Sequence, residues 1–166
     1  MASENQETGM NLSRRDVERL AGLHPMLAET VRVCYAASPL PITVLEGRRS
    51  LDRQREYVRT GASRTLNSRH LTGHAVDLGV MDGNDVSWHW PLYYRLAIIM
   101  RQAAEVTGAV LIWGGVWDRP MTSYTRPCAE EVRLYGNRWR KANPGEVGGP
   151  LVDGPHYELA RGYHDV

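Results

Sequence analysis

Two side chains that suit a transition metal, His70 and Asp77, stand either side of a glycine in Ser68-Arg69-His70-Leu71-Thr72-Gly73-His74-Ala75-Val76-Asp77. An imidazole and a carboxylate are zinc-type ligands, and a catalytic zinc takes three protein ligands while keeping a position open for water. A third ligand and a general base are therefore needed. Far along the chain, Asp153-Gly154-Pro155-His156-Tyr157-Glu158-Leu159 offers both, with His156 as the ligand and Asp153 or Glu158 as the base. The donor types alone do not select zinc, because nitrogen and carboxylate ligands accept several divalent ions.

Periodicity gives the pairing a geometry. In Ala75-Val76-Asp77-Leu78-Gly79-Val80 the pattern is that of a strand, with Val76, Leu78 and Val80 on a core face and Ala75 and Asp77 on the other. An unbroken strand would put His70 on the wrong face, and Gly73 is where the backbone can bend to bring it round. His74 then shares the Val76 face and stays outside the ligand set. In the second stretch His156 and Glu158 share one face, Tyr157 and Leu159 the other, and Gly154-Pro155 redirects Asp153 toward whatever His156 binds.

Ser-x-His-x-x-Gly-x-Ala-x-Asp followed by a late Asp-x-x-His resembles the zinc peptidases of the D-alanyl-D-alanine carboxypeptidase superfamily, which cut peptidoglycan stem peptides. Within it, residues 67–77 are most similar to phage endolysins of the L-alanyl-D-glutamate peptidase type. The likeness extends to Thr43-Val44-Leu45-Glu46-Gly47-Arg48-Arg49-Ser50, to Leu51-Asp52-Arg53-Gln54-Arg55 and to Trp113-Gly114-Gly115. It implies a Zn2+ ion held by His70, Asp77 and His156, with Asp153 favoured over Glu158 as the base. It also implies that Arg49 reaches into the active site, to anchor substrate or the transition state; a salt bridge to Glu46 or Asp52 is the alternative. Ser68 is expected to support a ligand or the substrate, and Arg69 to be a surface charge. Two features depart from the family. Val116-Trp117-Asp118 stands where Asp-Trp is usual after Gly-Gly, so Asp118 either replaces a lost polar contact or does not. Residues 119–151 are far longer than the corresponding segment of short members.

The elements that must position these residues read as an α+β domain, a small antiparallel sheet with helices packed on one side and the zinc site in a cleft on the sheet. A polar, frayed arm is expected at residues 1–12, followed by a single domain at 13–166. Ser13 can cap a helix over 14–21, and His24-Pro25 opens an amphipathic helix to about Ala37. Residues 42–45 read as a strand. Ser50 caps a charged helix over 51–60 whose apolar points are Leu51 and Val58, and Gly61 ends it. Asp82-Gly83-Asn84-Asp85 has turn chemistry and lacks the further ligands of a calcium loop. The apolar stripe Leu92, Leu96, Ile99, Met100, Ala103 and Val106 makes 91–107 the main core helix. Residues 109–113, continuously apolar, read as a central buried strand. The long loop at about 119–151 carries cations mixed with aromatics around Trp139, which fits either a grip on glycan or lipid phosphate or an amphipathic helix covering the core.

Composition sets the outer limits. The chain of 166 residues has a formal charge of +1 and 23% charged residues, which gives no electrostatic case for nucleic acid or an anionic surface. The two cysteines, Cys34 and Cys128, lack metal-type spacing, and Cys34 reads as a buried free thiol. Of the other histidines, His24 reads as a helix-entry residue, and His89 and His164 as exposed or locally hydrogen-bonded. No apolar run approaches a membrane span and the first residues are polar, so neither stable membrane insertion nor a secretory signal is expected. The resemblance then implies a monomer that waits in the host cytoplasm, escapes through a holin-type pore and attacks bacterial peptidoglycan. The expected reaction is cleavage between L-alanine and D-glutamate; a D-alanyl-D-alanine carboxypeptidase and a non-catalytic zinc-stabilised wall-binding module are the alternatives.

Overall fold

A computed structural model describes residues 12–162, so the arm at 1–11 and the last residues, His164 among them, lie outside the described residues. The first helix, α1 (Arg14–Leu20), starts where the Ser13 hydroxyl accepts from the Asp16 amide. His24 opens α2 (Pro25–Ala37) in the same way, its Nδ1 accepting from the Met26 amide. Strand β1 (Ile42–Glu46) follows, then α3 (Leu51–Arg59) under a Ser50 cap. Strand β2 (Ala75–Asp82) turns through Gly83, at φ 61°, into β3 (Asp85–Ser87), the hairpin that the Asp-Gly-Asn-Asp chemistry predicts. The long helix α4 (Trp90–Thr107) ends on Gly108 in the left-handed region. Beyond it come β4 (Leu111–Trp113), α5 (Cys128–Ala142) and β5 (His156–Leu159).

The sheet is antiparallel and runs β1-β2-β5-β4, with β3 paired to β2. Alternation along the strands sorts its two faces as expected. Val44, Val76, Leu78, Leu111, Tyr157 and Leu159 are fully buried, and they form one core with Leu27 and Val31 of α2 and Leu96 and Met100 of α4. Strand β4, read from its apolar run as central, lies at the edge of the sheet. The last strand in sequence, β5, inserts between β2 and β4, and β4 owes its burial to the α4 side of the core rather than to two strand neighbours.

The other edge is closed by side chains. Asp16 of α1, almost fully buried, accepts from the Val44 amide (3.0 Å) and the Thr43 hydroxyl (3.0 Å), while Arg19 donates to the Val44 carbonyl. These groups take the place of a further strand at Val44, the middle of β1, and block pairing with another chain there.

One expectation on the helices needs correcting. Helix α3 is not anchored through Leu51, which is exposed; its one buried residue is Gln54. The segment at about 119–151 takes the second of its two readings, a helix covering the core. Residues Met121–Ser123 form a 3-10 turn, and α5 packs Cys128 and Tyr135 inward, with Trp139 partly buried against the core. Its start is organised by the fully buried Glu131, which accepts from the amides of Thr125 and Arg126 and pairs with Arg119. Asp118 makes a two-point contact with Arg138 of α5 (2.6 and 2.9 Å), so it ties this helix down rather than replacing a polar group in the cleft. Cys34 and Cys128 are both buried free thiols, and burial pushes Cys34 up to about 12.

Candidate metal centre

The strand register puts two of the expected ligands side by side. Asp77 and His156 are directly opposed across β2 and β5, so their side chains leave the same face of the sheet. His70 arrives by a different route. A 3-10 turn, Arg69–Thr72, is capped by Ser68, whose hydroxyl accepts from the His70 amide (3.3 Å). It ends on Gly73 at φ 74°, a conformation that favours glycine, and a Cβ there would lie 2.4 Å from the Gly22 carbonyl oxygen. The predicted bend at Gly73 is therefore present, and no larger residue fits it.

The three side chains converge. One ligand atom from each of His70, Asp77 and His156 lies within 4.8 Å of the other two, a spacing a metal ion can bridge. Asp77 Oδ1 is 3.2 Å from His70 Nε2 and 3.0 Å from His156 Nδ1. Each imidazole is held by its other nitrogen. His70 Nδ1 lies 2.8 Å from the Gly47 carbonyl, which can only accept, so Nδ1 donates there and Nε2 is the nitrogen turned to Asp77. His156 Nε2 lies 3.1 Å from the Glu158 carboxylate. A ligand histidine braced by a carbonyl or a carboxylate is the usual support of a metal site. Glu158 is thus committed to His156, which weakens its claim as the base.

The electrostatics match a site prepared for a cation. Burial works against ionisation of Asp77, but hydrogen bonds from His156 and His70 outweigh it and hold the carboxyl well below the usual range. Burial likewise pushes His156 down, yet Asp77 and Glu158 together prevail and the ring is pushed up to about 9. Asp153 is raised, first by burial and then by the negative charge of Asp77, against smaller opposing effects of His156, His70 and Arg49.

Asp153 reaches this cluster through glycines. Its amide donates to the Gly114 carbonyl (2.9 Å), the Gly114 amide donates to the His156 carbonyl (2.8 Å), and a Cβ on Gly114 would lie 2.2 Å from the Asp153 carbonyl oxygen. The indole of Trp113 donates to the Gly154 carbonyl (2.8 Å). Trp113-Gly114-Gly115 is therefore the ledge that carries Asp153. Trp117 lies over His156, ring centroids 4.9 Å apart, and with Asp153, Glu158 and Arg49 it lines the same cleft, a space of about 510 Å³.

Arg49 is placed at the site and is also paired. It is buried, donates to both Glu46 oxygens (3.0 and 2.5 Å) and to Gln54 (2.6 Å), and lies 4.4 Å from the Tyr57 ring centre. The salt bridge holds, with Glu46 rather than Asp52 as the partner, and the paired guanidinium still lines the cleft. Arg69, expected at the surface, instead donates to the Leu159 carbonyl (2.8 Å) and ties the His70 turn to β5. His74 is buried outside the cluster, its Nδ1 against Thr72 and its ring 5.1 Å from that of His24. Gln54 and Trp117 carry no signal of their roles in the sequence, whereas Glu46 is the salt-bridge partner that the charges clustered at the end of β1 offer.

A family model described as phage L-alanyl-D-glutamate peptidase matches residues 8–131, which takes in His70 and Asp77 and stops before Asp153 and His156. The L-alanyl-D-glutamate peptidase of Listeria phage A118 is 28% identical over 106 residues, 64% of this chain and 37% of that protein. The enzyme of the same name from Escherichia phage T5 is 27% identical over 109 residues, 61% of this chain and 77% of its own length. The match thus spans little more than a third of the Listeria phage relative. Among solved structures, the L-Ala D-Glu endopeptidase ChiX of Serratia marcescens is 37% identical, with a TM-score of 0.66 over 95% of this chain and 96% of that one. A family match over most of the chain, together with a likeness to ChiX that continues through β5, establishes that this chain belongs to the phage L-alanyl-D-glutamate peptidase family.

Proposed function

We propose that the chain is a zinc-dependent endopeptidase that hydrolyses the L-alanyl-D-glutamate bond of peptidoglycan stem peptides, and so lyses the bacterial wall. The observation that carries this reading is the convergence of His70, Asp77 and His156 beside Asp153 in one cleft, in a chain of this family. Two imidazole nitrogens and one carboxylate oxygen suit zinc better than calcium or magnesium, which prefer oxygen ligands. His70 Nε2, Asp77 Oδ1 and His156 Nδ1 are the atoms that would hold it. Bound there, zinc supplies Lewis acidity to the scissile carbonyl and to the attacking water.

The chain's own groups do the rest. Asp153 takes a proton from the water and delivers it to the leaving nitrogen, and its raised pKa brings the carboxylate closer to the basicity that this double duty needs. Arg49 faces the cleft as a fixed cation and stabilises negative charge growing on the carbonyl oxygen. Glu158 and the Gly47 carbonyl keep the two imidazoles aimed, and Ser68 holds the turn that carries His70.

No helix among the described residues is long and apolar enough to cross a membrane. Deployment as a monomer, released from the host cytoplasm through a holin-type pore, fits this reading. Zinc titration of the chelated protein on purified walls tests it. Wall clearing that returns at one zinc per chain is expected; clearing that persists in chelator would exclude a metal-dependent reaction, and zinc uptake with no clearing would favour a binding module.

A further inference from the structure

Helix α3 is held in the protein by a polar residue where an apolar one would be usual. Gln54 is fully buried, does not line the cleft, and is the only buried residue of its helix. A buried carboxamide is costly unless its donors and acceptor are matched. Here the match is complete on both ends. The Gln54 carbonyl accepts from Arg49 NH1 (2.6 Å), and its amide nitrogen donates to the Ser63 hydroxyl (2.9 Å) and the Thr65 carbonyl (2.6 Å). One side chain thus joins the guanidinium at the site to the loop after α3, whose residues Ser63 and Thr65 wall the cleft.

The same contacts fix Arg49 on three sides. Glu46 takes the Nε and NH2 edge, Gln54 takes NH1, and Tyr57 stacks on the plane. Of the five guanidinium N–H bonds, three are engaged, leaving one on each terminal nitrogen for a ligand in the cleft. Glu46 also pairs with Arg53 (3.2 Å), so two cations share one carboxylate and a net positive charge remains beside the cleft. Glu46 sets the direction of the guanidinium, and Gln54 supplies the hydrogen bond that holds its Nη1 end.

We infer that Gln54 is a positioning residue for hydrolysis: it locks the Arg49 guanidinium and the 63–65 cleft wall into one unit, so that Arg49 meets the carbonyl oxygen at a fixed place. This rests on the zinc-peptidase reading above and on Arg49 acting in it. A positioning error on the scale of one ångström can cost on the order of a hundredfold in rate, while binding of substrate in the ground state changes much less.

A double-mutant cycle on a soluble stem-peptide substrate tests this, with Gln54→Met and Arg49→Ala alone and together, and zinc affinity and thermal unfolding measured for each. Gln54→Met should lower kcat roughly tenfold to a hundredfold with KM changed little and zinc affinity unchanged. In the Arg49→Ala background it should cost nothing further. Gln54→Glu, which keeps an acceptor for Arg49, should recover part of the loss, and it carries the cycle if the Met variant does not fold. Equal losses in both backgrounds, or a Gln54→Met enzyme with wild-type kcat, would overturn the assignment of Gln54 alone. A folded, zinc-loaded wild-type protein that cleaves no stem peptide would overturn the reaction itself, and this role with it.

Discussion

Glu158 shows how much of a proposed metal site lies one step behind its candidate ligands. Its carboxylate holds His156 Nε2 and helps to keep that ring charged in the metal-free protein. Glu158→Ala should weaken zinc binding by roughly tenfold to a hundredfold, as measured by competition with a chromophoric chelator; unchanged affinity would show that β5 alone orients the ring. His70, Asp77, His156 and Asp153 were legible in the sequence because strand alternation and a glycine bend are local rules, and the structure obeys both. Arg49 was half legible. Its position after β1 and a salt bridge to Glu46 could be read, but the rest of its clamp could not, since Gln54 and Tyr57 meet it through side-chain geometry that no spacing encodes. Arg69 was misread for the same reason: its partner is a backbone carbonyl in β5, remote in sequence.

At the scale of elements, caps and stops were the dependable signals. Ser13, His24 and Ser50 open their helices and Gly108 closes α4, each for a hydrogen-bonding or φ reason visible in one or two residues. Strand order was not visible. An apolar run such as 109–113 records burial, and burial at a sheet edge under a helix looks the same as burial between two strands. The element that matters most for the site is the 3-10 turn Arg69–Thr72, and Gly73 is its hinge. Gly73→Ala combines a left-handed backbone, worth roughly 1–2 kcal/mol against an L side chain, with a collision against Gly22. Gly61→Ala is the control, because Gly61 is also left-handed, at φ 78°, but faces open space. Both variants should melt at lower temperature, and only Gly73→Ala should also lose zinc affinity. Equal zinc binding in the two would mean that the turn does not set the position of His70.

Across the whole molecule, the site couples folding to pH and, on the proposed function, to metal. Without metal, His156 is raised to about 9, so the stability it contributes is fully present below the ordinary histidine value, about 6.5, and is lost as pH rises through 9. Asp77 is depressed, so its contribution is present above the ordinary carboxylate range and is lost as pH falls through its lower, folded value. Zinc needs His156 deprotonated, so binding releases a proton below pH 9 and strengthens as pH rises. The gap in melting temperature between zinc-loaded and chelated protein should therefore widen steadily from pH 6 to pH 9. A gap that is constant or narrows over that interval would contradict the charged state assigned to His156.

The most direct test of the central claim is mass spectrometry of peptidoglycan digested with the zinc-loaded protein, beside a chelated sample and Asp153→Ala. Stem peptides carrying a new D-glutamate amino terminus should appear with the zinc-loaded protein and be absent from both controls, and Asp153→Ala should still take up zinc. Release of terminal D-alanine instead would move the cut to the other end of the stem, and an active Asp153→Ala would contradict the assigned base. Intact stem peptides after exposure to folded, zinc-loaded protein would contradict the hydrolytic function altogether.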